Sequence, residues 1–323
     1  MSLLSICQAV ASVIPTAAPS AIVGNSDETA MLLLALANEA GEALARKPDG
    51  GWVDTIREYD FVTSSVAQQN GTIANSGPGG AAVISGLTLA GAANPVTGSG
   101  WYAFGTGVRN NSLVTAVTNA DPNSTVTLNV AATSTGIGQF TLGQSDYALP
   151  PDFRQPVDNT LWDRSRFWSM RGPLSPQQWQ LYKSSVIGRA SIQRRFRFRR
   201  GPTGGMVFSI DPVPTDNGSQ LVFEYVSNGW CVSQGGEFQT SWQADTDTGV
   251  LDEYLIRLGL KWRVLRRKGM SYSEELDEYE GEVSKAMSKD GGAAILDLTP
   301  NDNLSLIGPW NLPETNFGGV TGT

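Results

Sequence analysis

The residue types that most catalytic sites need are absent or isolated in this sequence. Its 323 residues include no histidine, which removes the commonest general base and the commonest transition-metal ligand. Cys7 and Cys231 are the only cysteines, too few for a zinc site or a disulfide framework, and both lie in apolar patterns. We therefore expect buried free thiols rather than reactive ones, and no Ser-His-Asp or Cys-His catalytic set.

Two stretches begin like ligand-binding loops but do not complete them. GSGWYAFGTG, residues 98–107, lacks the Lys-Ser/Thr pair of a phosphate-binding loop, and it predicts β-turns. DTDTG, residues 245–249, lacks the third acid and the bidentate glutamate of a calcium loop, so we expect Asp247 or Thr248 to cap the following helix. Neither stretch predicts a metal or a cofactor.

Three arginines alternate with two phenylalanines in RFRFR, residues 195–199. Strand alternation places Arg195, Arg197 and Arg199 on one face and the phenylalanines on the other. No acid occurs in residues 184–209, so buried guanidinium groups would need partners from elsewhere. These arginines are candidates for contact with acidic groups of a neighbouring subunit or with a DNA backbone. A solvated strand face is the plainer alternative.

A basic helix stands directly before an acidic one in LIRLGLKWRVLRRKGMSYSEELDEYE, residues 255–280. Helical spacing on both sides of Gly269 predicts two antiparallel helices with a tight turn, and Ser271 with Glu274 predicts a capping box. Six bases lie between Arg257 and Lys268, and seven acids lie between Glu274 and Asp290. These charges suit both neutralisation within the hairpin and contact with another subunit. The candidate interface residues are Arg257, Lys261, Arg266, Arg267, Glu274, Glu275, Asp277 and Glu278.

The remaining chain divides into segments of contrasting composition. Helical spacing dominates the first sixty residues, and Asn25 with Glu28 predicts the start of the second helix. In residues 64–143 the only charged residues are Arg109 and Asp121, and period-2 alternation in the second half predicts a small β-module. A disordered Gly-rich linker is the alternative, and we expect residues 66–80 to be loose.

The last segment, residues 290–323, has four acids and no base. Its large apolar residues lack periodicity, which predicts an extended tail. Candidate docking anchors in this tail are Leu306, Ile307, Trp310 and Phe317, and a frayed chain end is the alternative.

Together these patterns predict the fold class α+β: a helical bundle with a small antiparallel β-domain, an inserted all-β module and an extended C-terminal tail. The predicted domains are a core of residues 1–63 and 144–289, the module 64–143 and the tail 290–323. The net charge of −8 argues against a general nucleic-acid coat. No apolar run reaches membrane-spanning length, and the opening residues lack the basic region of a secretory signal.

Several pieces, in their order along the chain, resemble the head-to-tail adaptor proteins of short-tailed phages, also called tail accessory factors or tail tubular protein A. They cover most of residues 1–63 and 144–289. The pieces are SLLSICQAVASVI, SAIVGNSDETAMLLLALANEAGEALARK, YALPPDFRQPVDNTLWDR, GPLSPQQWQLYKSS, RFRFRRG, FEYVSNGW and ADTDTGVLDEYLIRLGLKWRVLRRKGMSYSEELDEYE. The ordered set is more specific than any single piece, and the last piece contributes most.

The resemblance implies a structural virion protein and not an enzyme. Its partners would be the portal protein, the tail hub or nozzle protein, and further copies of itself in a dodecameric ring. Genomic DNA would pass through the ring lumen without sequence-specific binding, and no membrane partner is implied. The hairpin residues would contact neighbours or the portal, and the tail would reach onto the portal. The protein would be assembled in the bacterial cytoplasm and reside in the neck of the virion.

The inserted segment departs from the family pattern, in which the strand FVT leads almost directly into YALP. We expect residues 64–143 to project outward and to contact tail fibres or neighbouring subunits. Two other functions stay open. One is a tail-associated cell-wall hydrolase that uses carboxylates, although nothing selects a pair among 31 acids. The other is a DNA-binding virion protein that uses Arg195, Arg197 and Arg199.

Overall fold

A computed structural model of the chain describes residues 1–14, 17–48, 50–97, 100–184, 193–201 and 204–290. The described part combines helices with antiparallel sheets, so the predicted α+β class is confirmed. The tail predicted beyond Asp290, with its anchors Leu306, Ile307, Trp310 and Phe317, lies outside the described residues.

The helices form where the sequence has helical spacing, but the second begins later than predicted. They are α1 (Leu3–Val13), α2 (Glu28–Ala45), α3 (Pro176–Ser184), α4 (Glu253–Arg267) and α5 (Ser273–Asp290). The predicted cap of α2 at Asn25 is wrong because the Asp27 carboxylate accepts the N–H of Ala30 at 3.3 Å. Asn25 instead accepts the N–H of Asp27 at 3.0 Å, ahead of the helix.

The strands are short and mostly antiparallel. They are β1 (Ile56–Val62), β2 (Ser65–Ala74), β3 (Val83–Leu87), β4 (Trp101–Gly105), β5 (Ser112–Thr118), β6 (Ser124–Leu128), β7 (Gly136–Gln144), β8 (Asp146–Ala148), β9 (Phe153–Pro156), β10 (Trp162–Asp163), β11 (Trp168–Ser169), β12 (Arg195–Arg200), β13 (Met206–Asp211), β14 (Gln220–Ser227), β15 (Cys231–Val232), β16 (Phe238–Gln239) and β17 (Thr248–Gly249).

The described residues fall into two compact units. The first comprises Met1–Tyr59, Pro150–Asp158 and the described residues from Glu224 onward, and the second comprises Asp60–Leu149 and Asn159–Phe223. The strands of the predicted module lie in the second unit, which also takes in residues 159–223. The independence of residues 64–143 as an inserted domain therefore stays a prediction.

The first unit has a helical core, in which α4 lies against α1, α2 and α5. The buried indole of Trp230 lies edge-on to Trp242, with ring centroids 5.1 Å apart, and its Nε1–H donates to the Thr240 carbonyl at 2.9 Å. β16, β15 and β17 form a small antiparallel sheet, and β9 pairs with the second half of β14. These contacts join helical and strand segments into one core.

Acidic side chains close the loop that enters α4. The Asp247 carboxylate is buried and accepts the N–H groups of Gln243 and Ala244, both at 2.8 Å. The predicted cap at Asp247 or Thr248 is wrong, because Asp252 caps α4 by accepting the N–H of Tyr254 at 2.8 Å. Asp247 stabilises the turn that precedes the helix instead.

The second unit contains a closed barrel in the strand order β2-β3-β6-β5-β4-β7. Val126 and Leu128 of β6 are buried in its core, as the alternating pattern predicts. The expectation of a loose segment 66–80 is wrong, because β2 pairs with both β3 and β7. Polar residues on β2 leave no clear alternation, so backbone pairing rather than side-chain pattern determines this strand.

An aromatic cluster fills the space beside the sheet β12-β13-β8. The ring centroid of Phe208 lies 5.5 Å from that of Phe196, 5.4 Å from that of Phe198 and 5.6 Å from that of Phe223. Such ring pairs add to the free energy gained by burial. The phenylalanine face of β12 is therefore the core face, and its arginines occupy the opposite one.

Candidate functional site

The turn between α4 and α5 is a Schellman motif, which confirms the predicted end of α4 at Gly269. Gly269 has φ 70°, in the left-handed region that glycine tolerates best. Its N–H donates to the Arg266 carbonyl at 3.2 Å, and the N–H of Met270 donates to the Leu265 carbonyl at 3.0 Å. The turn holds the backbone of Met270 in a defined direction.

The start of α5 differs from the prediction. The N–H of Leu276 donates to the Tyr272 carbonyl at 2.9 Å, so the helix begins at Ser273 and the capping box predicted at Ser271 and Glu274 is wrong. The ring centroid of Tyr272 lies 6.4 Å from that of Trp262 on α4. This contact between the helices gives a tertiary reason for the later start.

Arg263 joins α4 to α2 and is a residue that the list of charged candidates missed. Its side chain is buried, its Nη1 donates to the Gly259 carbonyl at 2.9 Å, and its Nε lies 3.3 Å from the Glu39 carboxylate. A Cβ at Gly259 would lie 3.2 Å from the Tyr279 ring. Gly259 and Arg263 are four residues apart and therefore lie on one face of the helix. This spacing is the feature of the sequence from which the contact between them could have been predicted.

The eight candidate interface residues of the hairpin fall into paired and unpaired groups. Lys261 and Glu275 approach to 3.7 Å, which is an ion pair between the two helices. Arg257 lies over the Tyr254 ring, whose hydroxyl is 3.4 Å from Glu278. The others are exposed and form no ion pair among the residues that the structure describes: Arg266, Arg267, Glu274 and Asp277.

The arginine face of β12 meets acids and aromatic rings of the same unit. Arg195 is 6% exposed, its Nη1 lies 3.5 Å from Asp211, and its guanidinium lies 3.8 Å from the Tyr182 ring centroid. Arg199 pairs with Asp146 and donates to the Ser209 hydroxyl at 3.0 Å. The partners that the sequence did not supply locally thus come from β13 and β8.

Arg197 has no carboxylate partner among the described residues and lies 4.3 Å from the Trp179 ring centroid. Burial lowers the pKa of Arg197, and the neighbouring Arg199 charge lowers it further. The predicted strand alternation is confirmed, whereas a fully solvated arginine face is wrong because Arg195 is buried. Roles of these arginines toward a neighbouring subunit or DNA stay predictions.

Helix α3 supplies three further residues of this face that the sequence analysis did not single out. Trp179 and Tyr182 lie beneath guanidinium groups, and Lys183 Nζ lies 3.0 Å from Asp211. Their spacing of three and four residues places them on one side of the helix, which is the signal that could have found them. Lys183 Nζ also lies 5.1 Å from the Tyr102 ring centroid, so this face combines four cations with two carboxylates and three aromatic rings.

The two thiols are expected to resist modification in the folded protein. Burial, with a smaller contribution from the Asp245 charge, raises the pKa of Cys7 to about 12, and burial with Asp247 raises that of Cys231 to about 12. Both side chains are buried, as predicted. At pH 8 we expect no reaction with Ellman's reagent in native buffer and reaction of both thiols in guanidinium chloride. Rapid release of thionitrobenzoate from the native protein would contradict this.

The raised pKa values of the two thiols predict that the folded protein loses stability at alkaline pH. The folded pKa values exceed the ordinary value of 9.0, so the thiols retain protons longer in the folded than in the unfolded chain. Their contribution is fully present below pH 9 and is lost as pH rises from 9 toward 12. Urea denaturation at pH 8 and pH 10.5 measures this loss.

The described residues contain neither a cluster of metal ligands nor a membrane-spanning helix. No three Cys, Asp or Glu side chains among them come together in a group that could hold a metal ion. No helix in this part of the chain combines the length and the apolar character needed to cross a bilayer.

Comparison with models of known protein families finds no match, and comparison with curated protein sequences finds no significant relative.

Proposed function

We propose that this chain is a structural virion protein, a ring-forming head-to-tail adaptor that joins the portal to the tail and extends the DNA channel. The ordered resemblance over residues 1–63 and 144–289 supports this function. Its partners would be the portal protein, the tail hub or nozzle protein and other copies of the chain, with DNA passing through the lumen. The protein would act without a cofactor, in the neck of the particle.

The proposed architecture follows the same resemblance. Residues 1–63 and 144–289 would form a helical bundle with a small antiparallel β-domain, and residues 64–143 would be an inserted module that contacts tail fibres or neighbouring subunits. Residues 290–323 form an extended tail that docks on the portal through Leu306, Ile307, Trp310 and Phe317. The barrel within the second unit is compatible with an outward-facing module.

One observation carries the assembly function. The hairpin pairs Lys261 with Glu275 internally, but it leaves Arg266 and Arg267 at the turn, and Glu274 and Asp277 on α5, exposed without an ion pair in the described chain. Surfaces of opposite charge on one element suit contact between successive copies of the same protein. Contacts between two different surfaces of identical subunits close into rings when the rotation between subunits allows it.

The alternative functions receive less support from the described contacts. A carboxylate-based hydrolase needs acids available to substrate, whereas Asp146 and Asp211 are engaged by arginines. A DNA-binding function would use Arg195, Arg197 and Arg199, but Asp211 and Asp146 neutralise two of them, Arg195 and Arg199. The adaptor function requires neither free carboxylates nor free arginine side chains at these positions.

Immunogold electron microscopy of intact phage particles tests the proposal, with an antibody raised against this chain. We expect label confined to the neck at one vertex. A matched sample stained with preimmune serum controls for background. Label over the whole capsid, label at fibre tips, or absence from particles would contradict the adaptor function and favour one of the alternatives.

A further inference from the structure

An apolar groove lies in the first unit, where α4 begins and α5 ends. Its floor contains the buried side chains Leu44, Trp52, Leu251 and Leu255, and its volume is about 390 Å³. This lies near the lower end of the range of ~300–1,000 Å³ found for ligand pockets. Val53 stands at its margin with 51% of its surface exposed. The groove therefore offers apolar surface to a side chain that enters from outside.

The margin of the groove is acidic. Asp54 and Asp252 are exposed, and Asp290 is half-buried with its carboxylate accepting the N–H of Val53 at 2.9 Å. Lys289 is the one base among the lining residues, so the margin carries a net charge of −2 from three acids and one base. The chemistry of the groove fits an apolar side chain flanked by cations.

The turn between α4 and α5, at the other end of the same hairpin, carries an apolar side chain next to basic residues. Met270 is 41% exposed, and the Schellman motif fixes its backbone direction. Arg266, Arg267 and Lys268 precede it in sequence and are all exposed. A flexible methionine side chain adapts well to an irregular apolar groove.

We propose that the turn of one copy docks into the groove of a second copy, with Met270 on the apolar floor and Arg266 and Arg267 facing the acidic margin. This contact deepens the proposed ring assembly and rests on it. α4 has 15 residues and is therefore about 22 Å long, so turn and groove lie at opposite ends of one hairpin. Two different surfaces that bind each other between copies give a head-to-tail contact, which generates rings or fibres rather than a closed two-fold dimer.

Charge favours this occupant over the chain's own C-terminal segment. Residues 291–323 contain three acids and no base, so they would bring like charges to an acidic margin: Asp297, Asp302 and Glu314. The turn brings three bases. A second copy is thus the occupant whose charge complements the groove.

Disulfide trapping tests the contact directly. The full-length double variant Met270→Cys with Val53→Cys is oxidised with copper phenanthroline and run on a non-reducing gel. We expect a ladder of covalent oligomers, because Val53 lines the groove and Met270 lies at the turn, and the length of α4, about 22 Å, keeps them too far apart for an internal bond. Each single variant serves as a control and should remain monomeric, since Cys7 and Cys231 are buried. A double variant that remains monomeric overturns the proposal.

Charge reversal distinguishes this contact from random collision. Adding Arg266→Glu and Arg267→Glu to the trapping variant should reduce the ladder at least tenfold. Adding the control change Arg109→Glu, at an exposed position in the barrel unit, should leave it unchanged. Equal amounts of covalent oligomer from both variants would show that the groove does not bind the turn through its basic residues.

A mixing experiment tests the head-to-tail geometry. An M270D variant keeps its groove but loses the apolar anchor of its turn, and a D54R variant keeps its turn but loses its groove contact, so the two free ends do not complement each other. Native mass spectrometry of a 1:1 mixture should show a discrete heterodimer that cannot grow, whereas each variant alone stays monomeric. Higher oligomers or no heterodimer would overturn the geometry.

The outcome is separable from that of the proposed function. Neck labelling with no trapped ladder would retain the adaptor and reject this contact. A trapped ladder without neck labelling would retain the contact in a protein with another role.

Discussion

Replacing Arg194 by methionine is expected to lower the free energy of unfolding by about 3–5 kcal/mol, the range found when one partner of a buried ion pair is removed. The guanidinium of Arg194 is 3% exposed, with Nη1 3.0 Å from Asp163 and Nη2 2.7 Å from Asp216. Asp163 has a similarly buried side chain, and the variant would leave its charge with only the N–H of Arg166 at 3.0 Å and the more distant guanidinium of Arg166 at 4.0 Å. Chemical denaturation monitored by tryptophan fluorescence measures the change.

Arg166 supplies the matched control, because it contacts the same two acids from the surface. Its side chain is 43% exposed and lies 3.5 Å from Asp216 and 4.0 Å from Asp163. Arg166→Met should cost below about 1 kcal/mol, as exposed ion pairs usually do. Similar losses in both variants would show that burial does not determine the strength of this network.

Acid pH should reduce the effect of Arg194→Met. Burial would raise the pKa of Asp216, but hydrogen bonding from Ser219 and the charge of Arg194 lower it below the ordinary 3.8. A lowered folded pKa gives stability that is present above pH 3.8 and is lost as pH falls through the folded value. We expect the difference between variant and wild type to shrink below that pH.

Replacing Gly41 by alanine is expected to destabilise the first unit by about 1–3 kcal/mol, the usual cost of overpacking a core. A Cβ at Gly41, in the C-terminal half of α2, would overlap the six-membered ring of Trp230. The indole has little room to move, because it is 1% exposed, hydrogen-bonded to Thr240 and held edge-on to Trp242. Steric overlap thus outweighs the higher helix propensity of alanine.

Replacing Gly281 by alanine is expected to change the free energy of unfolding in the opposite direction. Gly281 also lies inside a helix, α5, but no atom lies within 4 Å of a Cβ built there. Gly281→Ala should therefore raise the free energy of unfolding by up to about 1 kcal/mol through helix propensity alone. Thermal denaturation of both variants measures the contrast, and a destabilising Gly281→Ala would contradict the propensity argument.

Elements with strong local periodicity were predictable from the sequence. The helical spacing around Leu255 and Trp262 gave α4, and Gly269 marked its end, because a left-handed residue closes a helix through local hydrogen bonds. Alternation likewise separated Arg195 from Phe196 on opposite strand faces. The start of α5 was misplaced because a contact with Trp262 on the other helix fixes Tyr272.

The sequence by itself determined the α+β class, the charged hairpin and the alternation of the arginine strand, since each depends on neighbours a few residues apart. Only the tertiary structure decided which groups meet. Asp146 pairs with Arg199 across 53 positions, and Glu39 pairs with Arg263 across 224. The groove joins residues near 44–54 to residues near 251–290. Burial and electrostatic pairing depend on distances in space, and no local pattern encodes those distances.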